Sequence, residues 1–168
     1  MGYNAHIQKE GLWTILDIKG EAEEVAKRIS PVGPPLPARA NTANAIDGQY
    51  LCWIGENHWL LLAPDETEDQ LLEGLAPHDP SLNCRVVLVS DAYSLFTVTG
   101  KQADDILASA SPLDTRRKDF TDDGAAFTEF FGIRGLVLRL PNGYLTAIER
   151  SYADMISTYF DKILSGNR

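Results

Sequence analysis

Four stretches of this chain hold residue types that could do chemistry. Asp65-Glu66-Thr67-Glu68-Asp69 packs four carboxylates into five positions and could hold a cation. Acids just ahead of an apolar-periodic run also suit the positive end of a helix, and that reading is preferred. Arg116-Arg117-Lys118 could bind a carboxylate or a partner's acidic patch, or be a solvated loop. Asp114, after Pro112-Leu113, could be a working carboxylate, and it also fits an aspartate that orders a loop or caps a helix. Glu149-Arg150-Ser151-Tyr152-Ala153-Asp154 is charged enough for a site, but Ser151 with Asp154 three residues on reads as a capping arrangement.

Other chemistries lack their residues. No G-x-G-x-x-G follows a strand and no G-x-x-x-x-G-K-S/T is present, so the glycine cradles of dinucleotide and P-loop sites are missing. His6, His58 and His78 are scattered, without a second ligand one helical turn away, so no metal site is expected. There is no G-x-S-x-G elbow, and neither Cys52 nor Cys84 has an evident histidine partner. Each cysteine lies among apolar residues and is expected to pack as a small core residue. No catalytic residue is therefore assigned.

Composition narrows the partners. The 168 residues carry 15 Lys+Arg against 24 Asp+Glu, a net charge of −9. Phosphate backbones are neutralised by clustered cations, so nucleic acid is not an expected partner. No run of 18 apolar residues exists, so no membrane-spanning helix is expected. Met1-Gly2-Tyr3-Asn4-Ala5-His6 lacks the basic and apolar regions of a signal peptide, and a cytoplasmic chain is expected.

The elements that must position these residues follow from apolar periodicity. Leu12 to Lys19 reads as a strand ended by Gly20, and Glu21 to Ile29 as a helix stopped by Ser30-Pro31. Four prolines between Pro31 and Pro37 demand an extended connection, continuing as a polar loop to about Gly48. Tyr50 to Ile54 and Trp59 to Ala63 form a hairpin around Gly55-Glu56-Asn57-His58. Thr67 is expected to cap a helix bearing Leu71, Leu72 and Leu75, with Pro77 and Pro80 bounding the next loop. Arg85 to Val89 reads as a buried strand, Tyr93 to Thr99 as another ended by Gly100, and Lys101 to Ala110 as a helix stopped by Ser111-Pro112. Strands are expected at Ala126 to Phe131, Leu136 to Leu140 and Tyr144 to Ile148, the last two joined by Pro141-Asn142-Gly143, in which Asn-Gly is a tight-turn signal. A helix from Ser151 should turn Met155, Ile156, Tyr159, Phe160 and Ile163 inward.

One grammar recurs: strand, glycine, helix, Ser-Pro, loop, hairpin, helix. Gly20 and Gly100 lie 80 apart, the Ser-Pro pairs 81 apart, and Trp59 and Tyr144 85 apart. The expected fold is α+β, two β-α-β-β-α units with mainly antiparallel sheets, spanning about 10–80 and 84–165 of a single domain.

Val89-Ser90-Asp91-Ala92-Tyr93-Ser94-Leu95-Phe96-Thr97-Val98-Thr99-Gly100, its following helix to Pro112-Leu113-Asp114, Thr128, and Arg150-Ser151-Tyr152-Ala153-Asp154 occur in a set order. With Trp59-Leu60-Leu61-Leu62-Ala63-Pro64 upstream, this set resembles the gamma subunit of heterotetrameric sarcosine oxidase over about residues 50–165. The resemblance implies a fold akin to the folate-binding domain of the glycine-cleavage aminomethyltransferase. It also implies a non-catalytic accessory subunit in a complex that oxidatively demethylates sarcosine or a related N-methyl amino acid. FAD, FMN, NAD and tetrahydrofolate would then belong to larger flavoprotein partner subunits. Pro34, Pro35, Pro37, Arg116, Arg117 and Phe120 are the candidate interface residues. The rival readings are a free-standing tetrahydrofolate-binding or aminomethyl-transfer protein, for which Asp91 and Asp114 are the candidate pterin-holding carboxylates, and a homo-oligomeric scaffold.

Overall fold

In the computed structural model, residues 3–76 and 83–166 are described. His78 and the loop bounded by Pro77 and Pro80 lie outside the described residues. The chain divides into two compact units. The first is Leu12–Ser90; the second joins the described parts of Met1–Gly11 and Asp91–Arg168.

The first unit runs β2 (Trp13–Gly20), α1 (Ala22–Ile29), β3 (Ala43–Ile46), β4 (Gln49–Gly55), β5 (His58–Pro64), α2 (Glu68–Leu75) and β6 (Cys84–Leu88). Its antiparallel sheet has the order β3-β4-β5-β2-β6. The second unit takes β1 (His6–Lys9) from the N-terminal segment. It adds β7 (Tyr93–Thr99), α3 (Ala103–Ala110), β8 (Ala125–Phe130), β9 (Ile133–Leu140), β10 (Gly143–Glu149) and α4 (Ala153–Ser165). Its sheet, also antiparallel, has the order β1-β7-β10-β9-β8. The mixed α+β class with two antiparallel sheets is as expected, and the two sheets share one order: β1 stands beside β7 as β6 stands beside β2.

Each helix exists because its apolar residues fall one turn apart and face a sheet. Val25 and Ile29 of α1 and Leu71 and Leu75 of α2 close over Leu16, Ile18, Trp59 and Leu61. Ile106, Leu107 and Ala110 of α3 and Ile156 and Phe160 of α4 close over Phe96, Val98, Val137 and Tyr144. In α1 the charges favour the dipole, with Glu23 and Glu24 in the first turn and Lys27 and Arg28 in the last. Both cysteines are free and buried, and burial pushes the Cys52 thiol above its ordinary range.

Several expectations are corrected. The polar loop to Gly48 contains β3, closed onto β4 by Asp47 and Gly48, both at positive φ (50° and 79°). That Asp-Gly pair is a hairpin signal in its own right. β1 had no apolar alternation to announce it, since a polar edge strand pairs through its backbone. The strand expected buried at Arg85 to Val89 is an edge strand, with Arg85 and Leu88 open to solvent. The turn from β9 to β10 is centred on Pro141 and Asn142, with Gly143 already the first strand residue. Phe131 is in the β8–β9 turn with Gly132.

Neither cap forms through its side chain. Thr67 donates its hydroxyl to the Pro64 carbonyl at 2.7 Å instead, in a single 3₁₀ turn over Asp65–Thr67. Ser151 donates to Glu149 Oε1 at 2.8 Å, because a 3₁₀ turn over Arg150–Tyr152 moves the start of α4 to Ala153. Tyr159 stays 37% exposed on the outer side of α4, against Phe131 with ring centroids 4.9 Å apart.

Candidate functional site

The second unit carries a cleft of about 410 Å³ where strand ends and turns meet. One wall is the β7–α3 junction: Gly100, Lys101, Ala103 and Asp104. The other is the β9–β10 turn, Leu140, Pro141, Asn142 and Gly143, with Arg139 beneath and Arg117 from the long α3–β8 connection. The Gly100 amide donates to the Asn142 carbonyl at 3.4 Å and ties the walls together.

Arg139 is the cleft's central charge. Only 8% exposed, it donates from Nε to the Phe120 carbonyl at 3.2 Å and from Nη2 to the Thr115 carbonyl. Its guanidinium lies over the rings of Phe120 (5.4 Å) and Tyr144 (4.9 Å). Tyr144 opposes Arg139 across the β9–β10 ladder and donates its hydroxyl to Asp104 Oδ1. Arg117 pairs with Asp122, while Lys101 has no ion-pair partner among the described residues. The lining thus holds three cations and one carboxylate in a chain of net charge −9.

Burial first, and then the bond to Asp104, push the Tyr144 phenol above its ordinary 10, outweighing the Thr115 hydrogen bond and the Arg139 charge. The folded chain then keeps this proton at pH values where the unfolded chain has lost it. Its contribution to stability is whole below pH 10 and is lost as pH rises through the folded-state value. Phenolate absorbance should show one of the six tyrosines ionising late, and Asp104→Asn should bring that step earlier.

The candidates from sequence do not gather here. Asp114 is exposed and held by its own loop: its carboxylate accepts from the Arg116 amide at 3.0 Å and from Arg116 Nε at 2.8 and 2.9 Å. The Arg116 guanidinium holds the Asp114 carboxyl well below the usual carboxylate range. Asp114 is thus an aspartate that orders its loop. Asp91 is exposed in a 3₁₀ turn, and its backbone carbonyl accepts from Arg150 Nε at 2.8 Å. Neither aspartate lines the cleft, and neither is placed to grip a pterin within it.

Of the interface candidates, Arg116, Arg117 and Pro35 are exposed and Pro37 is half-buried. Pro34 is buried, and Phe120, 4% exposed, belongs to the core beneath Arg139. His58, read as a turn residue, pairs through Nε2 with Asp17 Oδ2 at 2.8 Å on β2. Among the described residues no cluster of His, Cys, Asp or Glu could hold a metal ion. No described helix is long and apolar enough to cross a membrane.

Sequence reasoning missed Arg139 and Lys101. The one available signal was Arg139 itself, a charge in the apolar strand Leu136-Val137-Leu138-Arg139-Leu140.

No protein-family model matches the chain, and no curated protein matches it. Solved structures do. A chain of heterotetrameric sarcosine oxidase from Corynebacterium sp. U-96, in complex with pyrrole 2-carboxylate, superposes with a TM-score of 0.81 at 20% identity, covering 96% of this chain and 84% of that one. Glycine cleavage system aminomethyltransferase T from Bartonella henselae superposes with a TM-score of 0.72 at 14% identity, over 94% of this chain. The chain spans 45% of that enzyme's length. At these identities the likeness is one of fold, and the fold is the one expected.

Proposed function

We propose that this chain is a non-catalytic accessory subunit, of the gamma kind, in a sarcosine-oxidase-like heterotetramer that oxidatively demethylates sarcosine or a related N-methyl amino acid. The observation that carries this reading is the extent of the likeness: it takes in 84% of a chain from such an oxidase, but under half of the aminomethyltransferase. A chain that matches most of one chain of a heterotetramer fits a role as a subunit better than a role as a stand-alone transferase. In this reading FAD, FMN, NAD and tetrahydrofolate sit in the larger flavoprotein partners, and the complex is cytoplasmic. The two repeats of this reading correspond to the two units, Leu12–Ser90 and Asp91–Arg168 with the N-terminal segment. The Asp114 carboxylate, taken by Arg116, favours this over free-standing folate binding.

Affinity purification of the tagged full-length chain from its native host tests the proposal. Larger flavin-bearing chains should elute with it in fixed ratio. Elution of the chain alone, with no flavin absorbance, would sink the reading.

A further inference from the structure

We infer that the cleft of the second unit holds a small oxyanion, the carboxylate or phosphate group of a small molecule, against the Arg139 guanidinium. This goes beyond the subunit role and does not depend on it. The inference starts from a charge without a counter-charge. Buried cations are ordinarily paired, because an isolated charge out of water is costly. Arg139 is nine-tenths buried, yet no carboxylate lies within 4 Å of it among the described residues; its bonds go to two neutral carbonyls. Neither bond uses Nη1. The carbonyls and the two flanking rings fix the plane of the guanidinium, so its remaining donor edge is set before any ligand arrives.

The fold does not require this arrangement. In the first unit the strands that correspond to β9 and β10 are β4 and β5, and there the cross-strand pair is Trp53 and Trp59 in place of Arg139 and Tyr144. Trp59 packs in an apolar core, its indole N–H without a partner. The same sheet is thus built once with an apolar pair and once with a buried cation opening on a cleft. Packing alone explains the first and leaves the second unexplained.

The surroundings suit an oxyanion. Lys101, with no ion-pair partner among the described residues, and Arg117, which pairs with Asp122, are the other two cations of the lining. Gly100 and Gly143, which carry no side chain, contribute main chain to the lining. The volume, about 410 Å³, is that of a small-molecule site. The N-terminus of α3 adds little, since its own Asp104 and Asp105 already face it. Asp104, bonded to Tyr144, sets a limit on the ligand: its anionic end must lie on the Arg139 and Lys101 side.

Amide chemical shifts of the isotope-labelled full-length chain test this. Inorganic phosphate and acetate are titrated separately against sodium chloride at matched ionic strength. Saturable shifts at Gly100, Lys101, Asn142 and Gly143 are expected for at least one probe, and which of the two saturates tells phosphate from carboxylate. Lys101→Ala, an exposed change that leaves the core intact, should weaken binding about five-fold. Arg139→Met, checked for folding by circular dichroism, should abolish it. Shifts that never saturate, that scatter over the chain, or that are unchanged in Lys101→Ala overturn the inference.

Discussion

Truncating Phe160 to alanine is expected to cost about 3–5 kcal/mol, a large share of the roughly 5–15 kcal/mol that holds a domain of this kind folded. The ring is fully buried. It meets Phe96 edge-on at 5.8 Å and 62°, and Phe131 at 5.9 Å and 72°. It also follows Ile156 by one helical turn, and these two with Ala153 are the buried residues by which α4 grips the sheet. A cavity there loses the transfer energy of the ring and the contacts of both partners. Tyr159→Ala is the control. Its ring is adjacent in sequence and comparable in size, but 37% exposed. Its loss should cost about 1 kcal/mol or less, as for surface positions generally. Urea midpoints at unchanged slope would read both values. Equal costs would mean that α4 is not seated by the Ile156–Phe160 face.

The Phe160 case shows where periodicity succeeds and where it overreaches. Apolar residues one turn apart located α4, but the same rule turned Tyr159 inward, since an aromatic ring counts as apolar whichever face it lies on. The strands that could be read were those with buried positions: β2, β4, β5, β6, β7, β8, β9 and β10 all carry Leu, Ile, Val or aromatic residues. β1 and β3 stayed hidden. They are four-residue edge strands, His6–Lys9 and Ala43–Ile46, held by a neighbour's backbone groups, and backbone pairing leaves no mark in residue type. The caps failed for a related reason. Thr67 and Ser151 are good capping residues, but a 3₁₀ turn ahead of each helix gives their hydroxyls nearer acceptors.

The cleft was less legible than the fold. Lys101, Asp104, Arg117 and Arg139 come from α3, its preceding turn, a long connection and β9, and no spacing rule links them. The motif that looked most like a site, Asp114 to Lys118, is mostly self-contained: Asp114 neutralises Arg116 within the same turn. A charge cluster that satisfies itself is a structural device. A lone arginine inside an apolar strand cannot do that, and it marked the more informative position.

Gly100→Ala should destabilise the second unit by roughly 2–5 kcal/mol, because two costs fall on one atom. The first is conformational: φ is +107°, where a side chain is strained. The second is contact: a Cβ would stand 2.9 Å from the Asn4 carbonyl oxygen and 3.0 Å from Ala5 Cα, backbone atoms that lead into β1. Gly132→Ala separates the two. Its φ is +84°, but nothing lies within 4 Å of the added atom, so the conformational cost of about 1–2 kcal/mol should stand alone. Relief of the Gly100 clash requires β1 to move off β7, so amides of His6–Lys9 should lose hydrogen-exchange protection in Gly100→Ala and keep it in Gly132→Ala. Gly20 makes the same test on the other sheet. Its Cβ would stand 2.9 Å from the Asn83 carbonyl oxygen and 3.1 Å from Cys84 Cα, where β6 begins. Its amide donates to the Asn57 carbonyl as that of Gly100 does to Asn142. If Gly20→Ala releases β6 as Gly100→Ala releases β1, the glycine at the end of each first strand is what lets the fifth strand close the sheet. Equal stability loss in Gly100→Ala and Gly132→Ala would remove the contact from that account and leave only the backbone angle.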